Sequence, residues 1–266
     1  MTPLPRIMVA PNGARLTRKD HPAVPVTIAQ IVETAQECAQ AGADGLHAHV
    51  RDEGQQHVLD AGLYKELIAE MAQSLPGFYT QITTEALGRY TTAEQMALVR
   101  GVQPKAVSIA LREIMADATD AEMHRFYHEC MDAGIGVQHI LYDTEDVMHL
   151  ARLVRDDVVP KADLKGLLVL GRYTTGQLAS PDNLMAPVSM MNRELPEIDW
   201  AVCAFGRWET DCLLAAHGMG AKMRIGFENN RLNKDMTCAA SNAERVRELV
   251  DYLTSSPEGD ANYRVA

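Results

Sequence analysis

Eight short runs of β-forming residues recur along the chain at intervals of roughly 20 to 35 residues. They are Arg6 to Ala10, Gly45 to Val50, Tyr79 to Thr84, Ala106 to Leu111, Val137 to Tyr142, Gly166 to Leu170, Ala201 to Phe205 and Met223 to Phe227. Between them apolar residues take helical spacing: Ile28, Ile31, Val32, Ala35, Cys38 and Ala39 share one face, and Leu63, Leu67, Ile68 and Met71 another. Thr27 with Gln30, Thr91 with Glu94, and Ser241 with Glu244 fit the capping box that opens a helix by satisfying orphan amides. Gly42, Gly101 and Gly134 fall where helices should stop. Strict alternation eight times over fits a closed parallel sheet better than an open one, and 266 residues is an ordinary size for such a unit. The expectation is an α/β fold, one (β/α)8 TIM barrel over residues 1–266, with the polar tail from about Ser255 loosely ordered.

Composition narrows the function. A formal net charge of −11 and a pI near 5.3 leave no basic footprint for nucleic acid or an anionic membrane, so an anionic substrate needs a local basic pocket. No apolar run reaches the length of a membrane span, and the first residues lack a signal peptide's charged region and cleavage site, so the chain is read as cytoplasmic. Five scattered cysteines, odd in number and never in CxxC spacing, read as reduced thiols. GxGxxG, the P-loop, HExxH and GxSxG are all absent, which removes the usual support for dinucleotide, P-loop, zincin and serine-hydrolase chemistry. Gly218-Met-Gly220 reads as a tight turn before the eighth run.

One constellation carries chemistry. In Gly45-Leu-His-Ala-His-Val-Arg-Asp52 the two histidines are separated by one residue on an expected strand, so both rings point to the same side. In Arg224-Ile-Gly-Phe-Glu228 a spacing of four does the same for guanidinium and carboxylate. Strands two and eight both neighbour strand one in a closed barrel. His47, His49 and Glu228 then form a His₂Glu set for one divalent metal, best matched by zinc, with positions open for substrate. His124 and His128 have the i, i+4 spacing of a helical metal pair, but their surroundings read as the solvated face of an outer helix. His21, His57, His139, His149 and His217 have no partner visible in sequence and are read as structural or surface residues.

Pro11-Asn-Gly-Ala14, the Gly42 to Asp52 block, Gly206-Arg-Trp208, Arg224-Ile-Gly-Phe-Glu-Asn229 and Ser241-Asn-Ala243 together resemble the β-keto acid cleavage enzymes, in order and spacing from about residue 6 to residue 253. The resemblance implies a zinc-dependent, homo-oligomeric (tetrameric) barrel enzyme in which a β-keto acid and acetyl-CoA, its co-substrate, become a new acyl-CoA and acetoacetate. It matches His47, His49 and Glu228 to the metal ligands and Arg224 to the arginine of an Arg-Asp dyad. Thr83 and Ser108 match substrate-contacting hydroxyls.

Departures from the family pattern are specific. Asn229 stands where the family has the aspartate expected to act as base. Thr83-Thr-Glu-Ala86 replaces a Ser-Thr-Gly-Gly loop, and Gln138-His-Ile140 replaces Glu-x-Glu. An amide takes no proton at neutral pH, so Glu85, or a water acidified by the metal, would replace the missing base. Arg15 stands where the founding member carries an acid that recognises a substrate amine, which points to an anionic or neutral distal end. Two other readings remain open: a metal-dependent lyase or aldolase working without CoA, and a non-catalytic ligand-binding barrel.

Overall fold

The computed structural model describes residues 2–172 and 178–255. Strands β1 (Ile7–Val9), β2 (Gly45–Ala48), β3 (Tyr79–Thr83), β4 (Ala106–Ala110), β5 (Gly136–Leu141), β6 (Lys165–Leu170), β7 (Asp199–Ala204) and β8 (Lys222–Ile225) close into one parallel barrel in chain order. Each expected run is thus a strand, with its ends within two residues of those expected. The seam is sealed by β1, whose Ile7 and Met8 pair with Met223 and Arg224 of β8 while Met8 and Val9 pair with Gly45 and Leu46 of β2. The expected tail beyond Ser255 lies outside the described residues.

Strand alternation sorts the barrel into two apolar clusters. Val9, Leu46, Ile82, Ile109, Leu141, Leu168 and Val202 face outward into the main core with the helices. Ala110, Ile140, Leu167, Val169, Ala201 and Cys203 fill part of the interior. That outer layer comprises α1 (Ile28–Gln40), α2 (Ala61–Ser74), α3 (Thr92–Val102), the short α4 (Leu111–Ile114), α5 (Asp120–Asp132), α6 (Thr144–Arg155), α7 (Met185–Glu194), α8 (Glu209–Gly218) and α9 (Asn242–Ser255).

Helix boundaries follow local chemistry. The expected capping boxes at Thr27 and Thr91 are both formed, and a further one opens α5 at Thr119 with Glu122. Each cap of this kind contributes about 1 kcal/mol. Ser241 Oγ accepts from Glu244 N, but the Glu244 carboxylate accepts from Ala240 N, so this box is half made in the expected form. Gly42 and Gly134, at φ +107° and +70°, follow α1 and α5 as expected. Gly101 does not end its helix: α3 runs on to Val102 and is capped by Gln103 in the left-handed region. A β-carbon at Gly101 would lie 3.5 Å from that of Ala61, an ordinary van der Waals contact, so the packing of α3 on α2 does not itself demand glycine there.

His139 lies between the inward-facing Gln138 and Ile140, against the Tyr127 ring of α5 with centroids 5.2 Å apart. Burial lowers its pKa from the ordinary 6.5 to about 3. Below pH 6.5 the unfolded chain therefore takes up a proton that the folded chain refuses until about pH 3. Stability is intact above 6.5 and falls on acidification, by about 1.4 kcal/mol per pH unit for one such group. His139→Leu is expected to remove that contribution from the slope of unfolding free energy against pH between about 6 and 4. Urea titrations in the presence of a chelator measure it, and an unaltered slope would contradict a neutral ring at this site.

Candidate active site

The carboxyl ends of the strands open into a cavity of about 640 Å³. His47, His49, Arg224 and Glu228 line its floor, as strand parity predicts, and Thr83, Glu85 and Asn229 line its wall. Arg15, Arg172, Arg207 and Arg231 line the same cavity, so a chain of net charge −11 carries the local basic pocket that an anionic ligand needs.

Three acceptor atoms converge on the floor. His47 Nε2 is 3.2 Å from His49 Nε2, and Glu228 Oε2 lies 3.6 Å and 3.7 Å from these two nitrogens. Arg224 Nη2 donates to the other carboxylate oxygen, Glu228 Oε1, at 3.2 Å, leaving Oε2 buried without a hydrogen-bond partner among the described residues. Burial first, then the Arg224 charge, lowers the His47 pKa to about 4. Burial first, then His57, holds His49 well below its ordinary range. Both rings are therefore neutral at pH 7, with lone pairs available. Bonds of about 2.0–2.2 Å in tetrahedral array separate ligand atoms by about 3.3–3.6 Å. An orphaned carboxylate oxygen and two neutral imidazoles at this spacing fit one divalent metal ion.

On the wall, Glu85 Oε2 faces His49 Nδ1 at 3.8 Å while Oε1 accepts from Arg172 Nη2 at 3.4 Å. Burial first, then Glu228, pushes the Glu85 pKa up to about 7. Asn229 is only 6% exposed and neither atom of its amide has a partner among the described residues. Arg224 pairs with Glu228 and not with position 229, so the dyad implied by resemblance is not formed. Thr83 lines the cavity and its Oγ accepts from Glu85 N at 3.0 Å. Ser108, paired in register with Thr83, is not among the residues lining the cavity; it is fully buried, and its Oγ has no hydrogen-bond partner among the described residues.

The helical pair is also not a plain solvated face. His124 Nδ1 and His128 Nε2 both approach the Asp157 carbonyl, at 2.6 Å and 3.1 Å, just past the end of α6. As donors they satisfy a carbonyl that the helix end leaves free.

The profile of the beta-keto acid cleavage enzymes matches residues 6–257. The chain belongs to that family. It is 25% identical to the 3-keto-5-aminohexanoate cleavage enzyme of Fusobacterium nucleatum, over 92% of this chain and 89% of that one. To the 3-oxoadipate:acetyl-CoA acetyltransferase of Cupriavidus necator it is 24% identical, over 91% and 86%. Among solved structures, a ternary complex of ObcA with a C4-CoA adduct and oxalate superposes with a TM-score of 0.69 at 15% identity. That match covers 88% of this chain but only 64% of ObcA, and supports the fold alone.

Family motifs that sequence left without a role hold the floor in place. Asn12 donates to the His49 carbonyl at 2.8 Å and accepts from the His49 amide at 3.3 Å, clamping that residue's backbone. Gly13, at φ +56°, lets Glu228 lie close: a β-carbon there would sit 2.5 Å from Glu228 Cγ. Arg51 donates to the carbonyls of Asn12, Gly13, Ala14 and Leu16, binding this loop to β2. Asn242 accepts from Phe227 N at 2.9 Å and donates to the Pro11 carbonyl, fixing the residue before Glu228. The buried Glu209 accepts from Gly226 N and pairs with the equally buried Arg245. Breaking a buried pair on one side costs about 3–5 kcal/mol, so the turn at Gly226 is firmly held. His57, read from sequence as structural or surface, donates from Nε2 to the Glu85 carbonyl at 2.9 Å and stacks edge-on to His49. It touches both the floor, at His49, and the wall, at Glu85.

Proposed function

We propose that this chain condenses a small anionic β-keto acid with acetyl-CoA, giving a new acyl-CoA and acetoacetate, on a zinc ion held by His47, His49 and Glu228. The observation that carries the reading is the convergence of two neutral imidazoles and an unpartnered carboxylate oxygen at the base of an arginine-lined cavity, in a member of this family. The names of the relatives supply the acetyl-CoA and keto-acid chemistry.

When bound, zinc supplies positive charge that polarises the keto oxygen and holds negative charge as the carbon–carbon bond breaks. The protein's own residues supply the rest. Arg224 fixes the Glu228 carboxylate so that one oxygen faces the ligand position. The Glu85 carboxylate, at the cavity wall beside His49, takes the proton from the carbon between the two carbonyls. Asn229 presents an unspent amide that donates to a substrate oxygen, and Thr83 orients Glu85 through its amide. Arg15 and Arg172 hold the distal anionic end.

The test is acetoacetate release by zinc-loaded protein across a panel of β-keto acids, with and without acetyl-CoA. Acetyl-CoA-dependent release is expected, favouring substrates with a distal carboxylate over amino analogues. Arg15→Glu should shift the kcat/KM ratio toward the amino substrate by about tenfold or more. Cleavage independent of acetyl-CoA would make the protein a lyase instead, and an unchanged ratio in the variant would remove Arg15 from the site.

A further inference from the structure

A chain of buried amides runs across the barrel interior behind His47. His47 Nδ1 lies 2.9 Å from Gln81 Oε1 on β3, Gln81 Nε2 lies 3.0 Å from Gln138 Oε1 on β5, and Gln138 Nε2 lies 3.1 Å from the Gly166 carbonyl on β6. Gln81 and Gln138 are 0% and 1% exposed, so water does not complete or reverse the chain.

Its direction follows from its far end. A backbone carbonyl only accepts, so Gln138 must meet it with the NH₂ group. That turns the Gln138 oxygen toward Gln81, which must then donate. Gln81 has only its oxygen left for His47, and the imidazole must donate from Nδ1. A neutral imidazole has one N–H, so Nε2 carries the bare lone pair. This is the nitrogen that faces His49 Nε2 and Glu228 Oε2.

We propose that Gln81 and Gln138 are positioning residues that lock His47 in its Nδ1–H tautomer and aim its Nε2 lone pair at the metal position, the lock being anchored on the Gly166 carbonyl. An ordinary neutral histidine in water exchanges tautomers, whereas here the wrong one would set an imidazole lone pair against the Gln81 oxygen. Where the family pattern carries glutamate in strand five, Gln138 lets one chain of neutral donors reach the backbone. A partner of this kind is worth about 10- to 100-fold in metal affinity.

The deciding measurement needs neither metal nor turnover. Long-range proton–nitrogen correlation on metal-free protein labelled at histidine nitrogen, with His47 assigned by its absence in His47→Gln, should show a protonated Nδ1 and an unprotonated Nε2 at pH 7. An Nε2–H tautomer, or rapid exchange between the two, overturns the proposal. The second arm, which alone rests on the zinc reading above, titrates Zn²⁺ against a competing chromophoric chelator. Gln138→Leu touches no ligand yet should weaken zinc by about tenfold or more, as should Gln81→Leu, while Gln81→Glu, which keeps an acceptor for Nδ1–H, should restore it. Wild-type zinc affinity in a folded Gln138→Leu protein would overturn the lock. Failure of the unaltered protein to bind Zn²⁺ would instead overturn the metal reading, with the tautomer measurement still deciding the lock.

Discussion

Protein carrying both His47→Ala and His49→Ala is expected to purify with less than about a tenth of a metal ion per chain, against about one for the unaltered protein, and to lose cleavage activity by about a thousandfold or more. Loss of a partner that merely orients a ligand costs about 10- to 100-fold in affinity, and removing two of three ligands must cost more. Metal analysis after gel filtration measures it, and full occupancy in the double variant would sink the assignment. The histidine pair is a cleaner target than Glu228. Arg224 is buried, its Nε and Nη1 have no hydrogen-bond partner among the described residues, and Glu228 Oε1 accepts from its Nη2. Glu228→Ala would strand that guanidinium and cost about 3–5 kcal/mol of stability for reasons unrelated to metal.

The second large effect concerns the proton. Glu85→Gln keeps shape and hydrogen-bonding capacity toward Arg172 but cannot take a proton, so turnover should fall by about a hundredfold to ten-thousandfold. Asn229→Asp restores the family's carboxylate, yet places a third acid in a cavity where Glu85 and Glu228 already repel each other. With the base at Glu85, this variant should gain nothing and bind an anionic substrate less well. Steady-state kinetics on the substrate identified by the panel decides between them. If Glu85→Gln is silent while Asn229→Asp gains orders of magnitude, the base has not relocated, and the protein is an attenuated member of its family.

Much of this was legible before any coordinate was known, because it depends on period. A strand's two-residue repeat puts His47 and His49 on one side whatever surrounds them, and eight strand–helix units leave little choice of architecture. Glu228 was reachable because a closed barrel makes strands two and eight both neighbours of strand one. Gly101 misled because glycine is also tolerated inside a helix, and the residue type alone does not say which place it takes. Asn12, Asn242 and Gln138 were illegible for another reason: each has as partner a backbone atom distant in sequence, and no spacing rule connects a side chain to a carbonyl on another segment. His57 looked unremarkable because its partner is the Glu85 main chain, which only the loop after β3 brings to it. Ser108 came from the family resemblance alone, and on β4 the cavity is lined by Ala110, two residues further along the strand.

The three residues of the proposed metal site also straddle the strand that closes the ring. His47 and His49 rise from β2 and Glu228 follows β8, while β1 between them is three residues long and joined to its neighbours by two and three register pairs. In the unfolded chain the histidines and Glu228 lie about 180 of 266 residues apart, and the entropic cost of closing a loop rises with that separation. A cation bound in the proposed holoenzyme is therefore a clasp across the shortest part of the hoop as well as a reagent. Because it binds only the closed form, its affinity adds directly to the free energy of closure. A chelator strong enough to stop the reaction then also loosens the hoop, so in a cell short of zinc the protein would become inactive and vulnerable to proteases together.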